Sequence, residues 1–242
     1  MKIKDTLYRS NEGVVKPFEF SQRVAEVFPD MIERSVPGYP LTISMISVIA
    51  DKYAQDNTNI YDLGCSLGAA SIAIQQGIKA KNCHIIAIDN SQAMIDLCNK
   101  NSSQKSQNNK ISFKLGDALK TKIENASIVV MNFTLQFIPL AQRQNLINEI
   151  YQGLLPGGVL VLSEKIVFED DLENDVLNQL HHHMKELNGY ERLEIANKRD
   201  ALEKVLIPES LKEHQQRLTN AGFLQSFTWL KCFNFASLMA RK

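Results

Sequence analysis

The feature that most constrains this chain is a short apolar stretch that runs directly into a glycine turn, residues 59–68, NIYDLGCSLG. The β-branched, aromatic and aliphatic side chains before the turn suit a buried parallel strand. Glycine has no Cβ, so at Gly64 and Gly68 the backbone can turn sharply and let a ligand touch main-chain atoms. Small residues from Ala69 to Ile74 predict a helix next. Strand, turn and helix together predict a nucleotide-binding crevice at the carboxyl end of a parallel sheet.

A second apolar stretch, from His84 to Asp89, ends in an acid about one strand–helix–strand unit after the first. A carboxylate placed there can accept hydrogen bonds from both hydroxyls of a ribose. The glycine spacing differs from the G-x-G-x-x-G fingerprint, which argues against a nicotinamide dinucleotide. Two plainer interpretations stay open. The glycines could serve turn geometry alone, and Asp89 could be a helix N-cap, a task that Ser91 could take instead.

The composition is that of an ordinary soluble globular protein. The 242 residues, 44% hydrophobic and 22% charged, fit one large domain or a domain with a substantial insertion. Lysine plus arginine equals aspartate plus glutamate at 27 each, a balance that predicts no nucleic-acid footprint. The four cysteines form no C-x-x-C pair, which favours reduced thiols in a cytoplasmic protein. We expect no membrane span and no signal peptide in the polar start at Met1.

Strands and helices continue to alternate along the chain. We expect a helix over 91–101, a solvated connection over 102–110, a strand from Ile111, a very hydrophobic central strand over 126–132, a helix over 135–155 and a strand over 159–164. Five strands in this alternation predict a parallel, doubly wound sheet. Pro208 to Gly222 predicts a further helix, and the alternating tail from Gln225 predicts two more strands.

Polar residues at the expected strand ends and turns are candidate ligand contacts. Asp117 and the Ala118 amide could meet the exocyclic amine and a ring nitrogen of adenine, although a simple turn aspartate fits equally well. Tyr39 follows a Pro-Gly turn, where its ring could lie over a ligand or merely pack. Asn132 closes the central strand.

Residues 166–207 interrupt the alternation and predict an inserted helical segment. Three consecutive histidines begin at His181, but neighbours on a helix point about 100° apart and cannot converge on one ion, so we expect no metal site. Arg199 could bind a carboxylate through its guanidinium fork, although a solvated helix arginine is the ordinary alternative.

The motifs together resemble the carboxy-S-adenosylmethionine synthase family of the class I S-adenosylmethionine (SAM)-dependent methyltransferase superfamily. The superfamily likeness lies in the Asp62-x-Gly64-x-x-x-Gly68 pattern followed by Asp89, in the Leu-Pro-Gly-Gly turn that ends at Gly158, and in the helix-Ala-Gly-Phe-strand ending. The narrower likeness lies in residues 23–39, 61–70, 85–91, 132–137, 162–165 and 198–199. It runs almost from end to end.

This resemblance implies a doubly wound, Rossmann-like class I methyltransferase fold. Its mostly parallel seven-stranded sheet would carry an antiparallel C-terminal strand. One SAM-binding α/β domain would span residues 1–242, with an N-terminal helical cap over 1–55 and a helical lid inserted at 166–207. The resemblance implies that the pocket for SAM or carboxy-SAM is lined by Tyr39, Gly64, Cys65, Ser66, Asp89, Asn90, Asp117, Ala118, Asn132 and Arg199, with Arg199 as the catalytic residue.

Members of the family are understood to convert SAM and prephenate to carboxy-SAM and phenylpyruvate. A sulfonium methyl has weakly acidic hydrogens, and the ylide can trap carbon dioxide released as prephenate aromatises, provided that water is excluded. A partner enzyme, the tRNA carboxymethyltransferase, then uses the product to form the wobble uridine 5-oxyacetic acid. The resemblance also implies a homodimer without direct contact to nucleic acid or membrane.

Two other functions remain open at this point. One is a conventional SAM-dependent methyltransferase that acts on tRNA or a small molecule. Neutral net charge argues mildly against RNA, and the sequence Asn132-Phe-Thr-Leu stands where an Asp/Asn-Pro-Pro-Tyr acceptor motif would follow the fourth strand. The other is a non-catalytic SAM-binding subunit that supports a partner.

Overall fold

The computed structural model describes residues 3–9, 17–101 and 109–242. Strands are β1 Asn59–Leu63, β2 His84–Asp89, β3 Lys110–Leu115, β4 Ala126–Asn132, β5 Leu154–Val167, β6 Glu209–Ser210, β7 Gln225–Cys232 and β8 Phe235–Arg241. Helices are α1 Gln22–Ser35, α2 Tyr39–Tyr53, α3 Ala69–Gly77, α4 Gln92–Asn101, α5 Leu140–Gly153, α6 Asp171–Leu187, α7 Arg192–Leu202 and α8 Leu211–Ala221. Most of the predicted 102–110 connection, residues 102–108, lies outside the described residues, as does Met1.

The strand order explains where a crevice forms. The sheet runs β3-β2-β1-β4-β5-β8-β7, and β1 to β5 are mutually parallel. After β3 the chain returns to the other side of β1, so β1 and β4 lie at the topological switch point. The C-terminal strand β8 pairs antiparallel with both β5 and β7. The predicted seven-stranded, doubly wound sheet is therefore confirmed, with the two-residue β6 added beside β5.

The sheet separates two apolar cores. Every residue of the central strand β4 from Ala126 to Met131 is buried, as predicted for the most hydrophobic strand. Its alternating side chains divide between the faces. Val129 and Met131 pack with residues of α5 and α8, whereas Ile128 and Val130 pack with residues of α2 and α3. This double burial fixes β4 rigidly, and with it the side chains at its carboxyl end.

Local capping chemistry sets several helix ends. The Ser91 hydroxyl accepts a hydrogen bond from the Met94 amide at 3.3 Å, which confirms Ser91 as the cap of α4. A reciprocal capping box joins Ser210 and Glu213 at the start of α8, and Gly222 ends that helix with φ of 112°.

Two helix predictions were too long. The predicted helix over 135–155 begins instead as a 3₁₀ turn at Leu135–Phe137, and α5 starts only after Pro139, because proline has no N–H to continue a helical ladder. In the N-terminal segment, helix begins at Gln22, and the described residues before it are not helical. The two predicted C-terminal strands are present as β7 and β8.

Residues 166–207 contain the helices α6 and α7. Helix α6 makes polar contacts with two other segments, the end of α1 and the residue before β8. His181 Nε2 donates to the Ser35 carbonyl at 2.8 Å, and the Asn234 side chain donates to Asn178 at 2.8 Å. These contacts hold α6 against the end of α1 and the start of β8. Within the described residues, no helix is both long and apolar enough to cross a membrane.

Candidate active site

The turn after β1 lies at the carboxyl end of the parallel strands. Gly64, Ser66 and Gly68 all have positive φ, at 77°, 50° and 76°. A Cβ built on Gly64 would lie 2.3 Å from the Thr134 hydroxyl oxygen, so only glycine lets the loop after β4 approach this closely. The predicted glycine turn is present, and its second wall is the segment that follows Asn132.

Asp62, near the end of β1, stabilises this turn through hydrogen bonds to the helix that follows it. It is 1% exposed, and its carboxylate accepts hydrogen bonds from the Ser71 hydroxyl at 2.6 Å and the Ser71 amide at 3.2 Å. Burial raises the pKa of Asp62 to about 6, opposed by the Ser71 hydrogen bonds. Asp62 therefore anchors the start of α3 to β1 and keeps the glycine turn closed.

Asp89 joins two loops at the end of β2. One carboxylate oxygen accepts the Ser66 amide at 2.8 Å, and the other accepts the Ser91 amide at 2.9 Å. Burial raises the pKa of Asp89, whereas the two amides lower it. Since Ser91 caps α4, the N-cap alternative for Asp89 does not hold. Each carboxylate oxygen keeps further acceptor capacity for ribose hydroxyls. The neighbouring Asn90 is exposed.

Asp117 and Ala118 lie beside this position, after β3. The Gly116 amide donates to the Asp89 carbonyl at 3.0 Å, which ties the ends of β2 and β3 together. Asp117 Oδ1 accepts the Leu119 amide at 2.9 Å and caps a short 3₁₀ turn over Ala118–Lys120. The turn interpretation of Asp117 is confirmed, and a second role at adenine stays a prediction.

Asn132 ends the central strand β4 and Phe133 begins the loop after it, and the Phe133 ring lies near Tyr39. Asn132 Oδ1 is buried and has no hydrogen-bond partner among the described residues. Such an orphaned acceptor needs an explanation, and a ligand that donates to it would supply one. The Tyr39 ring lies 6.4 Å from the Phe133 ring, and burial raises the pKa of Tyr39. Phe133 has φ of 62°, an unusual conformation for a bulky residue and typical of functional loops.

Sequence reasoning missed Glu164, near the end of β5. It is fully buried, and its two carboxylate oxygens accept the Leu135 and Gln136 amides at 2.8 and 2.9 Å. Burial raises its pKa to about 8, although these amides and Arg143 lower it. Glu164 thereby fixes the 3₁₀ turn behind Asn132. An acid within an apolar strand pattern is the signal that could have revealed it.

Arg199 lies apart from these residues. It sits in α7, its side chain is 65% exposed, and its guanidinium contacts Asp200 at 3.2 Å. The pKa of His182 in α6 is lowered chiefly by burial, and the positive charge of Arg199 is one of the smaller causes. The structure brings the other predicted site residues together at the strand ends, but it does not join Arg199 to them.

The histidine run does not converge. His181 is 3% exposed and bonded to Ser35, whereas His183 is exposed and pairs with Glu186 at 3.5 Å. No group of three His, Cys, Asp or Glu residues in the described part of the chain is placed to hold a metal ion. Three of the four free cysteines, Cys65, Cys83 and Cys98, are buried.

Comparison with known proteins agrees with this fold. A family model described as "Methyltransferase domain" matches residues 60–158, which contain the glycine turn and Asp89. The structure of human N-acetylserotonin methyltransferase in complex with SAM aligns with a TM-score of 0.61 and 18% identity, covering 91% of this chain and 55% of that one. Magnesium protoporphyrin IX methyltransferase from Synechocystis PCC 6803, with bound SAH, aligns at 0.59 and 15% identity over 88% and 87%. At these identities the likeness shows the fold alone.

The sequence relatives are much nearer and span the whole chain. The carboxy-S-adenosyl-L-methionine synthase of Pseudoalteromonas translucida is 51% identical over 242 residues, which is 100% of both proteins. This match includes α6 and α7, which the methyltransferase model leaves out. The chain therefore belongs to the carboxy-S-adenosyl-L-methionine synthase family.

Proposed function

We propose that this enzyme converts SAM and prephenate to carboxy-SAM and phenylpyruvate. The observation that carries the proposal is the full-length match at 51% identity to a protein of that name, which extends through the helical insertion as well as the nucleotide-binding half. An ordinary methyltransferase domain accounts only for residues 60–158. The geometry at the strand ends supports an adenosyl ligand.

The candidate residues at the strand ends can be assigned in turn to the amino-acid, ribose and adenine parts of SAM. Gly64, Cys65 and Ser66 would present backbone to the amino-acid portion, and Asp89 with Asn90 would hold the ribose. Asp117 and Ala118 would meet the adenine, and Tyr39 and Asn132 would lie near the sulfonium. Two facts favour this placement: Gly64, Ser66 and Gly68 form a positive-φ turn at the end of β1, and Asn132 Oδ1 is buried without a hydrogen-bond partner among the described residues. The buried acids Asp62 and Asp89 suit a cationic sulfonium above them.

The reaction requires a proton to leave the sulfonium methyl and a carbon–carbon bond to form there. As prephenate aromatises, it releases carbon dioxide and hydroxide, and the hydroxide can leave with the methyl proton as water. The methyl carbon's electron pair then attacks carbon dioxide, so that the product carries one new carboxylate. The site must exclude bulk water for this capture. The glycine turn that Asp89 holds and the loop that Glu164 holds would form two of its walls.

Arg199 is proposed to bind the new carboxylate across the interface of a homodimer. Within its own chain the guanidinium is largely exposed and contacts only Asp200 among the described residues. Helix α6, which precedes α7, exposes an apolar stripe of Leu172, Val176, Leu180 and Leu187. A second copy would cover such a stripe and carry its own Arg199 with it. The proposed setting is the cytoplasm, where the product passes to the tRNA carboxymethyltransferase without this chain binding tRNA.

Incubation of the purified protein with SAM and prephenate, followed by mass spectrometry of the nucleoside, tests the function. We expect a product heavier than SAM by one carbon dioxide, together with phenylpyruvate, and no product when prephenate is omitted. S-adenosylhomocysteine formed with a methylated acceptor would instead identify a conventional methyltransferase. Tight SAM binding without turnover would indicate a non-catalytic subunit.

A further inference from the structure

Helix α6 is polar on its inner side and apolar on its outer side, the reverse of an ordinary surface helix. Successive residues turn by about 100°, so Asn178, His181 and Lys185 share one face. That face is turned inward, since His181 is 3% exposed and Asn178 bonds to Asn234. The opposite face bears the apolar stripe defined above, with Leu172 72% and Leu187 75% exposed. A polar face turned towards the protein interior calls for polar partners.

Lys165 of β5 joins this inner face from the sheet. It is the register partner of Phe235 in the antiparallel β5–β8 pair, and opposite residues in such a pair place their side chains on the same face. The Phe235 ring lies 4.9 Å from the His181 ring and 5.9 Å from the Phe133 ring. Phe133 in turn faces Tyr39. An aromatic wall therefore leads from the crevice to α6, with Lys165 beside it.

Within residues 3–9, 17–101 and 109–242, Lys165 and Lys185 have no anionic partner. Among the described residues, neither Lys165 nor Lys185 has a hydrogen bond or ion pair to its ammonium group, whereas the nearby Lys198 donates to Ser35 at 3.0 Å. Burial, followed by the charges of Lys198 and Lys165, lowers the pKa of Lys185 to about 7. Burial also lowers the pKa of Lys165. Desolvated ammonium groups without a counter-ion destabilise the folded protein, and a bound anion would offset that cost.

His181 adds an unused acceptor. Its Nε2 donates to the Ser35 carbonyl, so Nδ1 carries the lone pair of the neutral ring. That Nδ1 is buried and has no partner in the described part of the chain. Burial, followed by the charge of Lys185, lowers the pKa of His181, which keeps the ring neutral. As far as the described residues go, the region thus combines two lysine amino groups without anionic partners, one imidazole acceptor without a donor, and aromatic surface.

We propose that Lys165 and Lys185 bind the two carboxylates of the second substrate, a ring-bearing dicarboxylate. Phe133 and Phe235 lie against its ring, and His181 Nδ1 accepts a hydrogen bond from its hydroxyl group. The inference rests on the proposed function, because it assigns a second subsite of the same crevice. Prephenate, with one ring, one hydroxyl and two carboxylates, has the required chemistry.

Calorimetric titration of prephenate into protein saturated with S-adenosylhomocysteine tests this subsite without turnover. We expect Lys165→Met and Lys185→Met each to raise the Kd for prephenate by about tenfold or more, because each removes a desolvated charge partner. The Kd for S-adenosylhomocysteine should stay within about twofold of wild type in both variants. Lys212→Met is the matched control, because that lysine is 82% exposed on α8, and it should change neither constant.

Thermal unfolding separates a binding role from a structural one. Without ligand, Lys185→Met should unfold at a higher temperature than wild type, because it removes an unpaired buried charge. A lysine that served packing would give the opposite shift. Lys185→Arg keeps the charge and should retain prephenate affinity within about threefold.

Unchanged prephenate affinity in both methionine variants, or equal losses for prephenate and S-adenosylhomocysteine, would overturn the assignment. Different results would contradict the proposed function and the proposed subsite. If wild type binds prephenate through these lysines without forming carboxy-SAM, the subsite stands and the reaction does not. If wild type and both methionine variants turn over with the same KM for prephenate, the reaction stands and the subsite does not.

Discussion

At the scale of single residues, Asp89 has a structural role in the two loops beside it and a proposed role at the ribose. Its two oxygens accept hydrogen bonds from amides of the glycine turn and of the start of α4, so the protein's own backbone fixes the position of the carboxylate. Its position at the end of β2, beside the switch point, is where a ribose edge reaches the sheet in this fold. Removing the carboxylate would therefore loosen the turn and remove the acceptor at the same time.

We predict that Asp89→Ala weakens the binding of every adenosyl ligand alike, by about tenfold or more, since a charge-assisted hydrogen bond contributes about 1.5–3 kcal/mol. Calorimetry with SAM, S-adenosylhomocysteine and carboxy-SAM measures the three losses. Asp96→Ala on the exposed side of α4, where Asp96 contacts Gln92, is the control and should bind normally. Wild-type affinity in Asp89→Ala would remove this residue from the ribose site.

The sequence could name residues whose position follows from a strand end, but not those that depend on three-dimensional contacts. Asp89 and Asn132 each close an apolar run, and parallel strands bring such ends together. Phe133 and Glu164 carry no local pattern of that kind. Their roles come from a left-handed backbone at Phe133 and from two amides almost 30 residues away from Glu164 in the chain, at sequence separations of 29 and 28.

At the scale of elements, the 3₁₀ turn over Leu135–Phe137 is the joint between β4 and α5. The carboxylate of Glu164 accepts hydrogen bonds from the first two amides of this turn. The side chain of Thr134, the residue before the turn, lies against the backbone of Gly64. Apolar periodicity predicted one long helix here, because the pattern does not reveal that Pro139 and a buried acid impose a break. The alternation of strands and helices elsewhere was predictable, since it depends on repeated burial of whole faces.

We predict that Glu164→Gln lowers the free energy of unfolding by about 1–3 kcal/mol at pH 5, because the amide group leaves one buried N–H facing another donor. The folded pKa of Glu164, about 8, lies above its ordinary value of 4.5. The stability that this group contributes is fully present below pH 4.5 and is lost as pH rises through about 8.

Denaturant titrations of wild type and Glu164→Gln across that pH range provide the measurement. The difference between the two proteins should shrink as pH rises. Glu149→Gln, on α5, serves as a control for a glutamate of the same type outside this contact. A constant difference at all pH values would show that Glu164 is already ionised in the folded protein.

At the scale of the whole molecule, the insertion over residues 166–207 lies outside the segment that the methyltransferase family model matches. The chain resembles a methyltransferase of known structure in fold over 91% of its length, and α6 and α7 carry the apolar stripe and Arg199 on the outside. Amphipathic periodicity predicted helices here but could not tell which face would turn inward. The reversed polarity of α6 emerges only from its contacts with Ser35, Phe235 and Asn234.

We predict that Arg199→Ala and Asp89→Ala, assayed at a SAM concentration low enough that each is nearly inactive alone, restore about a quarter of wild-type activity when they are unfolded and refolded together in equal amounts. Half of the resulting dimers would contain both variants, and one of their two sites would have Asp89 from one subunit and Arg199 from the other. Carboxy-SAM formation is the readout. Refolding each variant with itself provides the control, and no recovery in the mixture would place Arg199 in its own subunit's site.

The double anchorage of Asp89 has a consequence for how the nucleoside enters. Because Asp89 ties both neighbouring loops together through the Ser66 and Ser91 amides, binding of the nucleoside should require little further ordering of the chain. The association rate constant of the nucleoside should then be limited by diffusion and not by loop closure.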